Sequence, residues 1–255
     1  MMTIYDYPEY YDIAFSFRDY KREAEFLDFC IQQFSLIKTI KILEIGCGHA
    51  PHAEELNKLG YQYSGIDINK QILEFARQKS NTLKYSNSFF EKNMVFFEFE
   101  EMFDFIFVML GSLFITSEAQ MKSHFDSISK CLNRGGLYFL DYCVQFENPL
   151  KYKNNNEYII EKDGIKIRSR FDISQLSESD NLFEETWNID VIDNGNFHAF
   201  EMIEKNIALY PEDFKQFITN RNDFELVGWF SEWDLERPIH EKSEIIRPIV
   251  ILRRI

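Results

Sequence analysis

Between Lys41 and Ala50 the chain reads Lys-Ile-Leu-Glu-Ile-Gly-Cys-Gly-His-Ala, a short apolar run ending in two glycines set one residue apart. Ile42, Leu43 and Ile45 predict a buried strand, and Ala53, Leu56 and Leu59, three apart after Pro51, predict the helix that follows. Pro51 suits a first helical position and Gly60 the residue just past the end. Gly46 and Gly48 bracket a turn that can take positive φ, so a ligand can lie against the backbone with the N–H groups of the helix start facing it. Strand, glycine turn and helix in that order commit this part of the chain to an α/β fold with a nucleotide-type site.

Two cofactor classes use such a turn, dinucleotides and S-adenosylmethionine. The dinucleotide pattern G-x-G-x-x-G wants glycine or alanine where Pro51 stands. The next strand, Tyr63-Ser64-Gly65-Ile66-Asp67, closes on a carboxylate, the group that accepts both hydroxyls of an adenosine ribose. With E-x-G-x-G on the first strand and Asp67 ending the second, the chain resembles the class I S-adenosylmethionine-dependent methyltransferases. The segment at 103–113 is similar to that family's fourth strand, and Leu132 to Asp141 to its helix-to-fifth-strand passage.

The resemblance implies a Rossmann-like sheet, mostly parallel with an antiparallel last strand, and a set of cofactor contacts. Gly46, Cys47 and Gly48 would pack on the amino-acid portion of S-adenosylmethionine, and Glu44 would hold the loop and the ammonium end, directly or through water. Asp67 would bind ribose with Ile68 beside it, and Met109 and Leu110 would border the adenine and methyl region. The third strand is predicted near residues 83–86. The family's adenine-binding carboxylate is missing after it, which leaves Asn87 or Ser88 to accept that bond. A tyrosine-rich start, with Tyr11 and Tyr20 at the matching positions, would fold over the cofactor as a lid, because aromatic faces attract a methylsulfonium and exclude water. An acceptor amine must be neutral to attack, and Tyr11 is the first residue to test as its base.

Composition removes other classes. A formal net charge of −14 argues against a nucleic-acid backbone as partner. The four cysteines, Cys30, Cys47, Cys131 and Cys143, form no C-x-x-C pair, so they are expected as reduced core thiols of a cytoplasmic protein. The start of the chain lacks a basic region followed by an apolar one, and the stretch around Phe105 to Ile115 falls short of the roughly 20 residues that span a bilayer, so no membrane partner is expected. His49, His52, His124, His198 and His240 have no metal-binding spacing. His52 is expected on the surface of a first helical turn, and His49 at a variable position of the motif.

After Phe146 a polar loop, residues 151–157, leads to segments of period two. Asp163-Gly164 and Asn194-Gly195 each read as the turn of a hairpin. The predicted organisation is a methyltransferase core at 1–146 and 206–255, with an N-terminal lid, and an antiparallel substrate cover inserted at 147–205. Trp187, Glu184 and Glu185 are candidates for the pocket wall, although Trp187 also suits the small sheet's core. Lys166, Arg168 and Arg170 share one strand face and read as solvated, and Asp141 ends the fifth strand as a cap or a substrate contact. The segments at 224–230 and 249–252 read as a closing antiparallel pair, foreign to the dinucleotide fold. The expected reaction is methyl transfer to a nitrogen or oxygen of a small molecule; a non-catalytic S-adenosylmethionine-binding or partner-subunit role is the alternative. Oligomeric state is left open.

Overall fold

A computed structural model describes residues 3–152, 157–233, 239, 245 and 247–255; the middle of the polar loop at 153–156, the first two residues and His240 lie outside this set. Five parallel strands, β1 (Lys41–Ile45), β2 (Gln62–Asp67), β3 (Ser88–Glu91), β4 (Phe103–Val108) and β5 (Leu132–Asp141), alternate with helices α3 (Ala53–Lys58), α4 (Lys70–Thr82) and α5 (Glu118–Cys131). Two helices precede them, α1 (Pro8–Ala14) and α2 (Tyr20–Phe34). An antiparallel four-stranded sheet follows, made of β6 (Glu157–Lys162), β7 (Ile165–Ser177), β8 (Leu182–Asp193) and β9 (Asn196–Ile207). The chain closes with α6 (Pro211–Arg221), β10 (Phe224–Ser231) and β11 (Pro248–Arg254).

The main sheet has the order β10-β11-β5-β4-β1-β2-β3, with β11 antiparallel to both its neighbours. Its central strands are apolar on both faces, as a sheet covered on both sides requires: Ile42, Leu43, Phe105, Ile106, Phe107, Phe139 and Leu140 are all fully buried. One face packs on α2, α3 and α4, the other on α5 and α6. Because β1 is flanked by β2 on one side and β4 on the other, the chain changes direction there, and a crevice opens at the carboxyl ends of β1 and β4.

The third strand departs from expectation. Leu83 is the cap of α4 and Lys84 takes a φ of +61°, so the helix consumes the residues assigned to a strand, and β3 begins at Ser88. The apolar stripe of α4, Ile72, Leu73 and Ala76, reaches Ser80 and carries the helix to Thr82. Leu59 likewise lies beyond the end of α3 and is largely exposed.

Both hairpins close on two-residue turns, Asp163-Gly164 and Asn194-Gly195, with positive φ at all four residues, the geometry whose twist matches paired strands. Strand β9 continues to Ile207, past the expected boundary at 205. The inner face of this sheet, with Ile167, Trp187, Ile189, Val191 and Phe200, forms one apolar cluster with Ile4, Tyr10, Ile13 and Phe15 of the chain's start. Tyr10 fastens the two by donating to Asp193 at 2.8 Å. All four cysteines are buried and free, and no described helix is long and apolar enough to cross a membrane.

Candidate active site

The glycine turn is built by its own backbone. Gly46 and Gly48 take φ of +66° and +51°, and the Gly48 amide donates to Asp67 Oδ2 at 2.9 Å. Asp67 Oδ1 accepts from the Asn69 amide at 2.9 Å, so each carboxylate oxygen keeps acceptor capacity. Burial raises the Asp67 pKa. A Cβ on Gly46 would lie 3.5 Å from the Met94 methyl and from the Ser112 carbonyl oxygen, and one on Gly48 would lie 3.8 Å from the Tyr11 ring. The space above the turn is a cradle that side chains would narrow.

Several expected contacts move. Cys47 turns inward: its Sγ presses on Gly65, and its amide is spent on the Ile66 carbonyl at 2.9 Å. Ile68 is 69% exposed. Asn87 and Ser88 stand at the wrong end of β3. The register pairs Asp67 with Glu91, so Ser88 is three residues, or about 10 Å, from the carboxyl end, and Asn87 accepts instead from Asn57 at 2.9 Å. The residues that reach the crevice are those after the strand. Lys92 donates its amide to the Asp67 carbonyl, and Met94 follows against the Gly46 turn. Counting register from Asp67 would have found them.

Glu44, expected at a cofactor ammonium, faces away from the crevice. It is 3% exposed, with Oε2 accepting from the Tyr63 hydroxyl at 2.5 Å and Oε1 lying 3.0 Å from His52 Nδ1. His52, expected on the surface, is completely buried; its Nε2 lies 2.8 Å from Glu23 Oε2, and Glu23 in turn accepts from Arg18 Nε at 3.1 Å. Burial pulls the His52 pKa down, but the carboxylates of Glu44 and Glu23 outweigh it and raise it. Burial works against an ionised Glu23 too, yet bonds from His52 and Arg18 hold it at about 2. Arg18 and His52 thus alternate with Glu23 and Glu44 in this chain of groups beneath the turn. His49 is also buried, with Nε2 3.2 Å from Asp12 Oδ1; that contact holds Asp12 at about 2, while burial lowers His49.

Tyr11 and Tyr20 separate. Tyr11 stands over Gly48, edge-on to His49 and Trp187 at ring distances of 5.3 and 6.0 Å, and burial pushes its hydroxyl well above 10. A phenol so placed keeps its proton at neutral pH and forms a wall rather than a base. Tyr20 donates to the Phe15 carbonyl and lays its ring edge-on to His52, so it belongs to the supporting layer.

Beside the turn opens a cavity of about 510 Å³, bounded by Leu110 and Ser112 after β4, by the chain's start, and by the inner face of the inserted sheet. Leu110 takes a φ of +55° and donates its amide to Asp141 Oδ2, while Met109 is buried behind it. Asp141 is therefore a clamp: fully buried, it also accepts from Arg247 Nε at 2.7 Å and is neither a helix cap nor a substrate contact. Tyr5, Tyr11, Phe15, Tyr158, Phe171 and Trp187 give the cavity aromatic walls, with Phe171 and Trp187 stacked at 5.5 Å. Glu185 and Glu204 face the same space from directly opposite positions on β8 and β9, and among the described residues neither has an ion-pair or hydrogen-bond partner. Glu185 is exposed and Glu204 half-buried; surrounding protein, and the proximity of Glu204, raise the pKa of Glu185, while burial and nearby Asp67 raise that of Glu204. Glu184, by contrast, points to the outer face toward Lys205, where Arg168 and Arg170 pair with Glu157 and Asp190. Glu204 escapes a linear reading but follows from the Asn194-Gly195 turn, since counting back along the hairpin sets it against Glu185. A larger open groove, about 1150 Å³ between α5, α6 and the β7–β8 turn, lies away from the glycine turn.

Residues 42–136 match the family model described as a methyltransferase domain. A protein named as a methyltransferase from Geobacillus sp. (strain WCH70) is 26% identical over 141 residues, 55% of this chain and 57% of that relative's length. An S-adenosylmethionine-dependent methyltransferase from Clostridium acetobutylicum superposes with a TM-score of 0.77 at 17% identity, covering 96% of this chain and 95% of that one. An amino pentose methyltransferase from Micromonospora echinaspora, solved with S-adenosylmethionine bound, superposes at 0.72 and 15% identity over 98% and 96%. Residues 42–136 thus match a methyltransferase domain, and the chain has the fold of the S-adenosylmethionine-dependent methyltransferases it superposes on, a seven-stranded sheet with a four-stranded antiparallel sheet inserted after β5.

Proposed function

We propose that this chain transfers a methyl group from S-adenosylmethionine to the nitrogen of a small-molecule amine. The observation that carries nitrogen over oxygen is the pair Glu185 and Glu204, two carboxylates without partners among the described residues on the wall of an aromatic cavity beside the glycine turn. An alcohol carries no charge for two carboxylates to hold, whereas an ammonium group is attracted by both and must give up a proton before it reacts.

The residues present fit the cofactor. The two glycines leave a cradle that a Cβ would narrow, and Asp67 retains acceptor capacity for ribose hydroxyls after serving Gly48 and Asn69. S-adenosylmethionine, when bound, supplies a methyl already activated on a sulfonium, so the protein has mainly to align, enclose and deprotonate. Tyr5 and Tyr11 cover Asp67 and Gly48 and keep water out. A carboxylate of the Glu185–Glu204 pair takes the ammonium proton onto Oε, freeing the nitrogen lone pair, and its raised pKa makes it a better proton acceptor than an ordinary glutamate. The name of the amino pentose methyltransferase, a protein of the same fold, is consistent with an amine acceptor.

The test is incubation with S-adenosylmethionine and matched sets of small amines and alcohols, followed by product mass. Methyl gain confined to amines is expected. Methyl gain confined to alcohols would overturn the assignment.

A further inference from the structure

The inner face of the inserted sheet changes character along its length. Its rows run Ile167, Val191 and His198, then Ser169, Ile189 and Phe200, then Phe171, Trp187 and Met202, and finally Ile173, Glu185 and Glu204. The first rows are filled by the chain's start, and the last two front the cavity. Two acids thus face each other where the strip fronts the cavity, and, unlike Asp193 at the far end of the same face, which accepts from Tyr10, neither has a partner among the described residues. A second feature marks the same wall. The Trp187 indole N–H is buried, with the residue 8% exposed, and has no hydrogen-bond partner among the described residues. Leaving such a donor unmade costs about 1–3 kcal/mol, so a group that fills the cavity gains by offering it an acceptor.

Resting on the amine reading above, we infer that the acceptor is a cationic amine that also carries a neutral oxygen, a hydroxyl, ether or carbonyl, within one small molecule, and that bears no phosphate or carboxylate. The ammonium meets Glu185 and Glu204, the oxygen accepts from Trp187 Nε1, and the aromatic wall that Tyr158 and the stacked pair Phe171 and Trp187 form packs against the body of the molecule. An anionic group in the same cavity would sit against two carboxylates in a space partly shielded from water, where like charges repel far more strongly than in bulk. Asp67, reaching Glu204 by its field, adds to that repulsion on the cofactor side.

Calorimetric titration in the presence of S-adenosylhomocysteine tests this with a panel of matched compounds: tyramine against tyrosine, glucosamine against glucosamine 6-phosphate, and tyramine against phenethylamine. Product mass with S-adenosylmethionine is followed in parallel. Members lacking the anion should bind at least about tenfold more tightly, each tenfold being 1.4 kcal/mol. Glu204→Gln should shrink that gap. Trp187→Phe should weaken tyramine more than phenethylamine, a difference that loss of packing, common to both, would not produce. Equal binding of the anionic and anion-free partners, or a gap that Glu204→Gln leaves intact, overturns the inference while methylation of amines keeps the broader reading. Binding of no amine in the panel overturns it as well, and methylation of alcohols alone removes both.

Discussion

Glu44 and Glu204 are glutamates at the ends of strands that border the same crevice, and they live in opposite circumstances. Glu44 is sealed under the glycine turn, with Tyr63 on one oxygen and His52 on the other, and the chain of charges continues through Glu23 to Arg18. Glu204 stands on the cavity wall across from Glu185 with no protein partner among the described residues. A carboxylate whose lone pairs are taken by the protein is part of the architecture, whereas one left facing another acid awaits a ligand. The sequence motif would have assigned Glu44 to the cofactor; its partners assign it to the frame that holds α2, β1 and β2 together.

The comparison breaks most visibly in stability. Replacing one member of a buried, hydrogen-bonded ion network leaves the others uncompensated, so Glu44→Ala should cost about 3–5 kcal/mol in urea unfolding. Glu204→Gln, which removes a charge that the fold already disfavours, should leave the unfolding midpoint unchanged or slightly higher. Equal losses in the two variants would erase the distinction.

Acidity and alkalinity should divide two buried histidines in the same way. His124 lies 2.6 Å from both the Met94 carbonyl and the Tyr138 hydroxyl, and burial pulls it down to about 4. Between pH 6.5 and 4 the unfolded chain binds this proton first, so the contribution, roughly 3 kcal/mol for a shift of that size, is whole above 6.5 and is lost on acidification. His52 has the opposite sign: raised by its carboxylates, it stabilises fully below 6.5 and loses that contribution as pH rises through its folded value. Unfolding midpoints from pH 4 to 9 should therefore fall on both sides, and His52→Gln should flatten the alkaline limb while leaving the acid limb. A variant curve parallel to the wild type throughout would show that His52 carries no shifted proton.

Asp67 stands between the two extremes, since each of its oxygens serves one backbone amide and has room for another donor. Asp67→Ala should weaken S-adenosylhomocysteine more than tenfold, about 1.5–3 kcal/mol for bonds to a charged acceptor. Calorimetry giving an unchanged affinity would remove Asp67 from the cofactor site.

What the sequence disclosed follows the same line. The glycine turn, Asp67, both hairpins and the closing strands were legible because local chemistry fixes them: positive φ, alternation, a two-residue turn. The third strand was misplaced because Leu83 and Tyr85 look apolar enough for a strand, while the stripe of α4 that claims the preceding residues becomes visible only when the helix is packed. The inward turn of Cys47 was hidden because Gly65, the residue that makes room for its sulfur, lies on another strand. His52 was misplaced on the surface and the partners of Glu44 went unseen because partnership across α2, β1 and β2 is long-range, and a motif records which residue stands at a position without recording what it faces. The acidic pair suffered the reverse fate: Glu185 was one candidate among several, and only the register of β9 supplies its counterpart.

The finest distinction concerns a hydroxyl. Tyr11 lies over Gly48 and borders the cavity, as a catalytic base would, yet burial first, and then the fields of Tyr5 and Asp67, push its pKa well above 10. Removing a working base costs on the order of 10²-fold or more in rate, whereas removing a hydroxyl that never gives up its proton should change turnover by less than about threefold. Tyr11→Phe should therefore keep both its rate and the pH profile of the wild type, while Tyr11→Ala, which opens the wall to water, should lose more. A hundredfold drop in Tyr11→Phe would return the proton to Tyr11 and leave the carboxylate pair with binding alone.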